Sequence, residues 1–301
     1  MTTRLPPAAT TTPARTARAS AMRPVIAFIT GCGRSGTTIL TRLLGKHRDV
    51  TALNDQYMTW AQAWPQYDVA GQVPFDPAVH APLELSEEHA RRDPEAAARL
   101  RAMLDERREG RRVIVEKLAQ NNMRLGFLRA LYPDCLLINI VRHGVEVARS
   151  IEQRALKGRW YGVRERKWDC LAAHARVNGY GDLLALCTDP VHRGLLEWRM
   201  SVDAADRFFD RAGESGVLRV RYEQLVTDPI GVCEGLERFL GVAARPVMRE
   251  FAGTKIARRG APADVGPPPE HTEAIAGPAL RRLGYAPPFA PTVTDARKGP
   301  A

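Results

Sequence analysis

The segment Gly31-Cys32-Gly33-Arg34-Ser35-Gly36-Thr37-Thr38 concentrates residue types that can hold an anion. Its glycines let successive backbone N–H groups curl around a negative charge, and the helix that must follow presents unpaired N–H groups and the positive end of its dipole. Gly31, Gly36 and Thr38 fit the nucleotide-triphosphatase pattern G-x-x-x-x-G-K-[ST]. Thr37, however, stands where that pattern has lysine, and the cation sits inside the loop as Arg34. No clear Asp ends a second apolar strand to hold magnesium. The loop is expected to bind a phosphate-type anion by other means than an ATPase, which leaves kinase and transferase chemistry open; a glycine turn without a ligand is the plain alternative. A second anion site is read at Arg142, which ends an apolar run at the place where ligands of open α/β sheets bind. Ser150 and Arg154 lie four residues apart on one face of the helix that follows. An arginine and a hydroxyl converging there suit a terminal phosphate monoester, with a solvated basic helix face as the competing account.

These residues need elements to position them. Val25–Ile29 reads as a buried strand, the glycine loop follows, and Ile39, Leu40, Leu43 and Leu44 carry helical spacing. Val113–Val115, Cys135–Val141 and Val217–Arg221 read as further strands. Met123–Leu131, Val145–Arg154 and Ile230–Leu240 read as helices. Strands alternating with helices predict an α/β fold: a P-loop-type open parallel sheet flanked by helices. Two polar insertions, about 56–110 and 155–200, interrupt it, the first holding a charged helix around Glu95–Arg108. Residues 1–22 form an Arg-, Thr- and Pro-rich tail without an acidic residue, read as disordered, with an organellar transit peptide as the alternative. Residues 23–285 are read as one domain and 286–301 as a flexible C-terminal tail. The stretch from 258 onward is rich in Pro, Gly and Ala, with a short helix at Ala279–Leu283.

The chain has 301 residues, 45% hydrophobic and 26% charged, which excludes a wholly disordered or collagen-like protein and allows a core without metals or disulfides. The net charge of +10 calls for an anionic partner, whether nucleic acid, membrane surface or phosphorylated small molecule. The basic residues are spread along the chain with no aromatic-and-basic module, which argues against nucleic acid. The five cysteines are odd in number and lack C-x-x-C spacing, so reduced thiols in a cytoplasmic compartment are expected. No apolar run approaches the ~20 residues of a transmembrane helix.

Taken together, Arg34-Ser35-Gly36-Thr37-Thr38 resembles the 5′-phosphosulfate loop of sulfotransferases that use 3′-phosphoadenosine 5′-phosphosulfate (PAPS), and Arg142 with Ser150 resembles their 3′-phosphate site, spacing included. Val220-Arg221-Tyr222-Glu223-Gln224-Leu225 with Asp228-Pro229 is similar to a further segment of that family. The likeness covers roughly residues 24–285 and is greatest to the tyrosylprotein sulfotransferase-like branch.

The resemblance implies PAPS as co-substrate, no metal, and in-line transfer of a sulfuryl group to an acceptor hydroxyl or amine. By the same likeness Gly33, Arg34, Ser35, Gly36, Thr37 and Thr38 hold the 5′ end, and Arg142, Ser150 and Arg154 the 3′-phosphate. Tyr222 lies against the nucleotide, and Lys255 and Arg259 match loosely a basic stretch that closes over it. Lys117, in Glu116-Lys117, matches a lysine near the bridging oxygen. Asp55, in Asn54-Asp55-Gln56, falls near the acidic base of the branch, with Glu116 as runner-up. His47 is read as structural, and His143 departs from the Asp or Asn usual at its position. The two insertions fall where the family builds its acceptor side. Trp60, Trp64, Trp160, Tyr161, Trp168 and Trp198 are there either to line a pocket for a small molecule, glycan or lipid-like acceptor or to pack the insertions. A P-loop kinase and a catalytically inactive nucleotide-binding protein are the rival readings. The oligomeric state, a homodimer included, is left open.

Overall fold

The computed structural model describes residues 24–213, 215–256 and 269–285; Arg259 and the tails 1–22 and 286–301 lie outside them. Five strands, β1 (Val25–Thr30), β2 (Val50–Asn54), β3 (Val113–Lys117), β4 (Leu136–Val141) and β5 (Val217–Arg221), form one parallel sheet in the order β2-β3-β1-β4-β5. The helices on its faces are α1 (Thr37–Leu44), α2 (Tyr57–Ala63), α3 (Glu87–Arg92), α4 (Pro94–Glu106), α5 (Leu125–Leu131) and α6 (Gly144–Ala155). They continue with α7 (Arg166–Val177), α8 (Pro190–Ala212), α9 (Tyr222–Thr227), α10 (Pro229–Leu240), α11 (Pro246–Phe251) and α12 (Thr272–Arg282). The expected α/β class and parallel sheet are present.

Strand alternation divides the core. Ala27, Ile29, Val113, Val115, Ile138 and Ile140 point to one face and pack with α1, α9 and α10. Ile26, Phe28, Ile114 and Leu137 point to the other and pack with α2, α4 and α5. A third cluster joins α6, α7, α8 and α12. Local chemistry sets the helix starts: Asp189 and Asp228 cap α8 and α10 by accepting from N–H groups of the first turn, each ahead of a proline at the first helical position.

Two differences from the sequence reading have physical causes. The strand β2 went unread because only Val50 is fully buried, whereas Ala52 and Leu53 are half-covered and Asn54 is exposed at a sheet edge, so the apolar pattern is faint. The region 155–200 is less an insertion than part of the core. It supplies α7 and the start of α8, whose Leu195, Leu196 and Trp198 are fully buried and whose length packs along α6. Trp198 fits because residue 144 is glycine: a Cβ there would meet the indole at 2.7 Å.

Because β1 pairs with β3 on one side and β4 on the other, the loop after β1 leaves the sheet at its topological switch point, where a crevice opens at the strand ends. That geometry hands the glycine loop to the site.

Candidate active site

The loop 31–36 turns tightly enough to need its glycines. Gly36 has φ of 99° and caps α1, and a Cβ on it would sit 2.5 Å from the Tyr222 ring. Arg34 also has a positive φ, 73°, a costly conformation for a residue with a side chain. It is held from both ends: its Nε donates to Ser150 Oγ at 3.0 Å, and its carbonyl accepts from Arg142 Nη1 at 3.2 Å. No side chain caps the N-terminus of α1 and no acidic residue occupies its first turn, so its positive end stays available to an anion. The hydroxyl of Ser35 is buried within the loop without a protein partner.

The expected second site meets the first. Arg142 leaves the end of β4, donates to Glu146 Oε2 at 2.7 Å and lies 4.3 Å over the Tyr222 ring. Arg154, at the C-terminal end of α6, joins Arg34, Arg142, Tyr222 and residues 36–38 around one cleft of about 400 Å³. Ser150 reaches the cleft through its bond to Arg34. Arg42 also lines it, from the turn of α1 after Thr38. Sequence reasoning missed Arg42, although its spacing of four from Thr38 was the available signal. Lys255 is exposed in the turn after α11, which packs on α10, and it is not among the residues that line the cleft. Arg259 lies outside the described residues.

At the other end of the cleft, β2 and β3 are in register at Asn54 and Lys117, which brings the next residue, Asp55, over the last residue of β3. Lys117 Nζ lies 2.5 Å from Asp55 Oδ1 and 3.3 Å from Thr38 Oγ1. The lysine side chain is 3% exposed and the aspartate 42%, so a buried ammonium is paired with a carboxylate open to the cleft. Asp55 has a positive φ of 53°, and its N–H donates to the Lys117 carbonyl. The other carboxylate oxygen of Asp55 accepts from Asn54 Nδ2 at 2.7 Å.

Glu116 precedes Lys117 on β3 and therefore points to the opposite face. It is fully buried, accepting from Trp60 Nε1 at 3.2 Å and Asn121 Nδ2 at 2.7 Å. Burial pushes its carboxyl up to about 7, against the pull of those hydrogen bonds and of Lys117 and Arg124.

The histidines settle into structural places. His47 is fully buried, with Nε2 bonded to the Ala243 carbonyl and Nδ1 accepting from the Asp49 N–H. His143 caps α6, its Nδ1 accepting from the Val145 N–H, while its own N–H donates to Glu223. An N-cap role explains why a ring nitrogen stands where an Asp or Asn side chain would serve equally.

Of the large aromatics, Trp60, Trp64 and Trp198 are core residues. Trp160 packs against Gly33, where a Cβ would meet it at 2.5 Å, and donates to Glu197 Oε2 at 2.8 Å. Tyr161 and Trp168 pack edge to face, with Arg193 beside both.

Residues 24–246 match the model of the sulfotransferase family. The chain belongs to the sulfotransferase family. Sulfuryl transfer is the chemistry of that family. Solved structures carry the same fold. The sulfotransferase domain of the olefin synthase from Synechococcus PCC 7002 is similar at 18% identity with a TM-score of 0.54, over 88% of this chain and 96% of that one. The sulfotransferase domain from the curacin biosynthetic pathway is similar at 18% identity with a TM-score of 0.52, over 88% of this chain and 99% of that one. Against curated protein sequences nothing matches significantly. All five cysteines of this sulfotransferase are buried and unpaired, and among the described residues no helix is long and apolar enough to cross a membrane.

Proposed function

We propose that this sulfotransferase uses PAPS as donor and transfers its sulfuryl group to a hydroxyl or amine of a small-molecule, glycan or lipid-like acceptor. One observation carries the reading. The open N-terminus of α1 and the Arg142–Ser150–Arg154 group share one cleft and are joined directly by the Arg34–Ser150 hydrogen bond. A donor with two separate phosphate groups needs such a double site. The residues fit the group: the buried Ser35 hydroxyl lacks a protein partner, and the N-terminus of α1 carries no side-chain cap. Arg34, Thr37, Thr38 and the first N–H groups of α1 would hold the 5′ end, and Arg142, Ser150 and Arg154 the 3′-phosphate. PAPS, when bound, supplies the sulfuryl group.

The chain's own residues then have distinct tasks. Lys117 keeps a positive charge fixed beside Thr38, where negative charge collects during transfer, and its burial strengthens that field. Asp55 is the exposed partner of the pair and accepts the acceptor's proton. An acidic base after β2 also supports the tyrosylprotein-like branch. The Asp55–Lys117 contact orients the carboxylate before an acceptor arrives. Glu116 is separated from the cleft by the sheet and is the weaker candidate for base.

The test is binding of 3′-phosphoadenosine 5′-phosphate (PAP), the desulfated donor, followed by calorimetry and melting temperature. Binding in the micromolar range is expected, with much weaker stabilisation by ATP and magnesium. Equal or greater stabilisation by ATP would overturn the donor assignment in favour of a kinase-like one. An acceptor screen with labelled PAPS then defines the second substrate.

A further inference from the structure

Beside Gly33, on the face of the sheet away from α1, a narrow cavity of about 20 Å³ is lined by Cys32, Tyr57, Ala119, Gln120 and Glu197. That is room for about one water molecule. Two of its walls come from separate elements: Tyr57 opens α2, and Ala119 and Gln120 open the 3-10 turn 119–123 that follows β3. Both elements are tied to one atom group. The carboxylate of Glu116 accepts from Trp60 on α2 through one oxygen and from Asn121 on the turn through the other.

We propose that Glu116 is a positioning residue that holds these two walls together and so sets how far the acceptor side of the active site opens. This rests on the reading of Asp55 and Lys117 as the reacting end. Glu116 is bonded in sequence to Lys117, and α2 begins two residues after Asp55, so the clamp ties the acceptor walls to the reacting pair. The cavity as it stands holds no more than a water molecule, and any larger ligand there requires α2 and the turn to part. The charge on Glu116 decides how firmly they are held, because two N–H donors grip a carboxylate more strongly than a neutral acid.

The surroundings let both states exist. The Asn121 Oδ1 is buried with no partner. A protonated Glu116 donates to it once the Asn121 amide turns over, which exchanges one hydrogen bond for another. The charged and titratable groups around Glu116 are Lys117 on the same strand, Arg124 after the turn, Tyr57 on α2 and Tyr132 after α5. Arg124 and Lys117 favour the carboxylate, and burial favours the acid. The balance leaves the group titrating near neutral pH.

The test compares the wild type with Glu116→Ala, Glu116→Gln and Trp60→Phe in the full chain. Hydrogen–deuterium exchange in Glu116→Ala should rise at least tenfold in both 57–63 and 119–123, with 25–30 unchanged and the PAP dissociation constant within twofold. The fluorescence difference between wild type and Trp60→Phe should titrate around neutral pH, and that titration should vanish in the Glu116→Gln background. If Glu116→Ala does not fold, the Trp60 titration and its loss in Glu116→Gln carry the result, because Asn121 Oδ1 can accept from the new amide and keep that variant folded. Exchange that rises in only one segment or neither, or a Trp60 signal that still titrates in Glu116→Gln, overturns the proposal. Failure of PAP to bind the wild type counts against the donor assignment instead and leaves the exchange result standing.

Discussion

Arg142→Ala separates a ligand contact from a folding contact. The Arg142 side chain touches three groups: Glu146 at 2.7 Å, the Arg34 carbonyl at 3.2 Å and the Tyr222 ring at 4.3 Å. A charge-assisted bond from it to a 3′-phosphate is worth about 1.5–3 kcal/mol. Its loss should raise the PAP dissociation constant by roughly 10- to 150-fold. The same change strands Glu146, whose side chain is only 7% exposed, without its cation. Breaking a buried pair costs about 3–5 kcal/mol, and the 19% exposure of the Arg142 side chain puts this one at the lower end or below, about 2–3 kcal/mol. A melting temperature lower by about 3–5 °C follows for a chain of this size. The Arg142→Ala/Glu146→Ala double variant removes the stranded carboxylate, so more than half of the melting loss should return while PAP binding stays weak. Calorimetry and thermal melting of wild type and both variants decide it. An unchanged dissociation constant in Arg142→Ala, or affinity that recovers with melting temperature in the double variant, refutes the assignment of Arg142 to the ligand.

Three further outcomes are expected. Lys117→Met keeps side-chain length without charge, and single-turnover measurements with labelled PAPS should show transfer slowed about 10²- to 10³-fold, the scale of one electrostatic donor; slowing of less than threefold would remove Lys117 from the chemistry. Gly36→Ala forces a side chain onto φ of 99° and into the Tyr222 ring, so thermal melting should show a loss of about 1–3 kcal/mol and calorimetry a loss of PAP binding; a variant that binds PAP like the wild type would refute the tight-turn account. Glu116 has its carboxyl raised from 4.5 to about 7 in the fold, so the folded state retains a proton that the unfolded chain releases, and its contribution to stability is lost as pH rises from about 4.5 through 7. Between pH 4 and 8.5 the unfolding free energy of wild type relative to Glu116→Gln should therefore fall by about 3 kcal/mol in denaturant titrations, and a flat difference would contradict the burial argument.

Much of the cleft around the glycine loop was legible because it is local. The glycine spacing, Arg34 and the paired threonines lie within eight residues, and Arg142, Ser150 and Arg154 lie on one strand end and one helix face, so periodicity alone groups them. What joins the two groups is the Arg34–Ser150 bond across 116 positions, and here the resemblance supplied what spacing could not. Asp55 and Lys117 were each read from likeness, but not their contact, whose cause is the register of an edge strand too weakly patterned to be seen. The aromatics of the insertions were the least legible. Nothing in their spacing separates Trp198, sealed under the glycine at 144, from Trp160, packed on the glycine loop, because the difference is made by residues distant in sequence.

The pairing of Glu116 with Lys117 follows from a strand's alternation. Two charged residues at the end of a central strand must face opposite sides, so they cannot share one task. Lys117 falls on the α1 face, where Thr38 and Asp55 meet it. Glu116 falls on the α2 face among Trp60, Asn121 and Arg124. Exchanging their roles would require a one-residue slip of β3, which would also turn Ile114 and Val115 to the wrong layers. The hydrophobic pattern of β3 therefore holds the ammonium on the α1 face beside Thr38 and Asp55 and the carboxylate on the α2 face beside Trp60 and Asn121, and the core itself keeps the two charges apart.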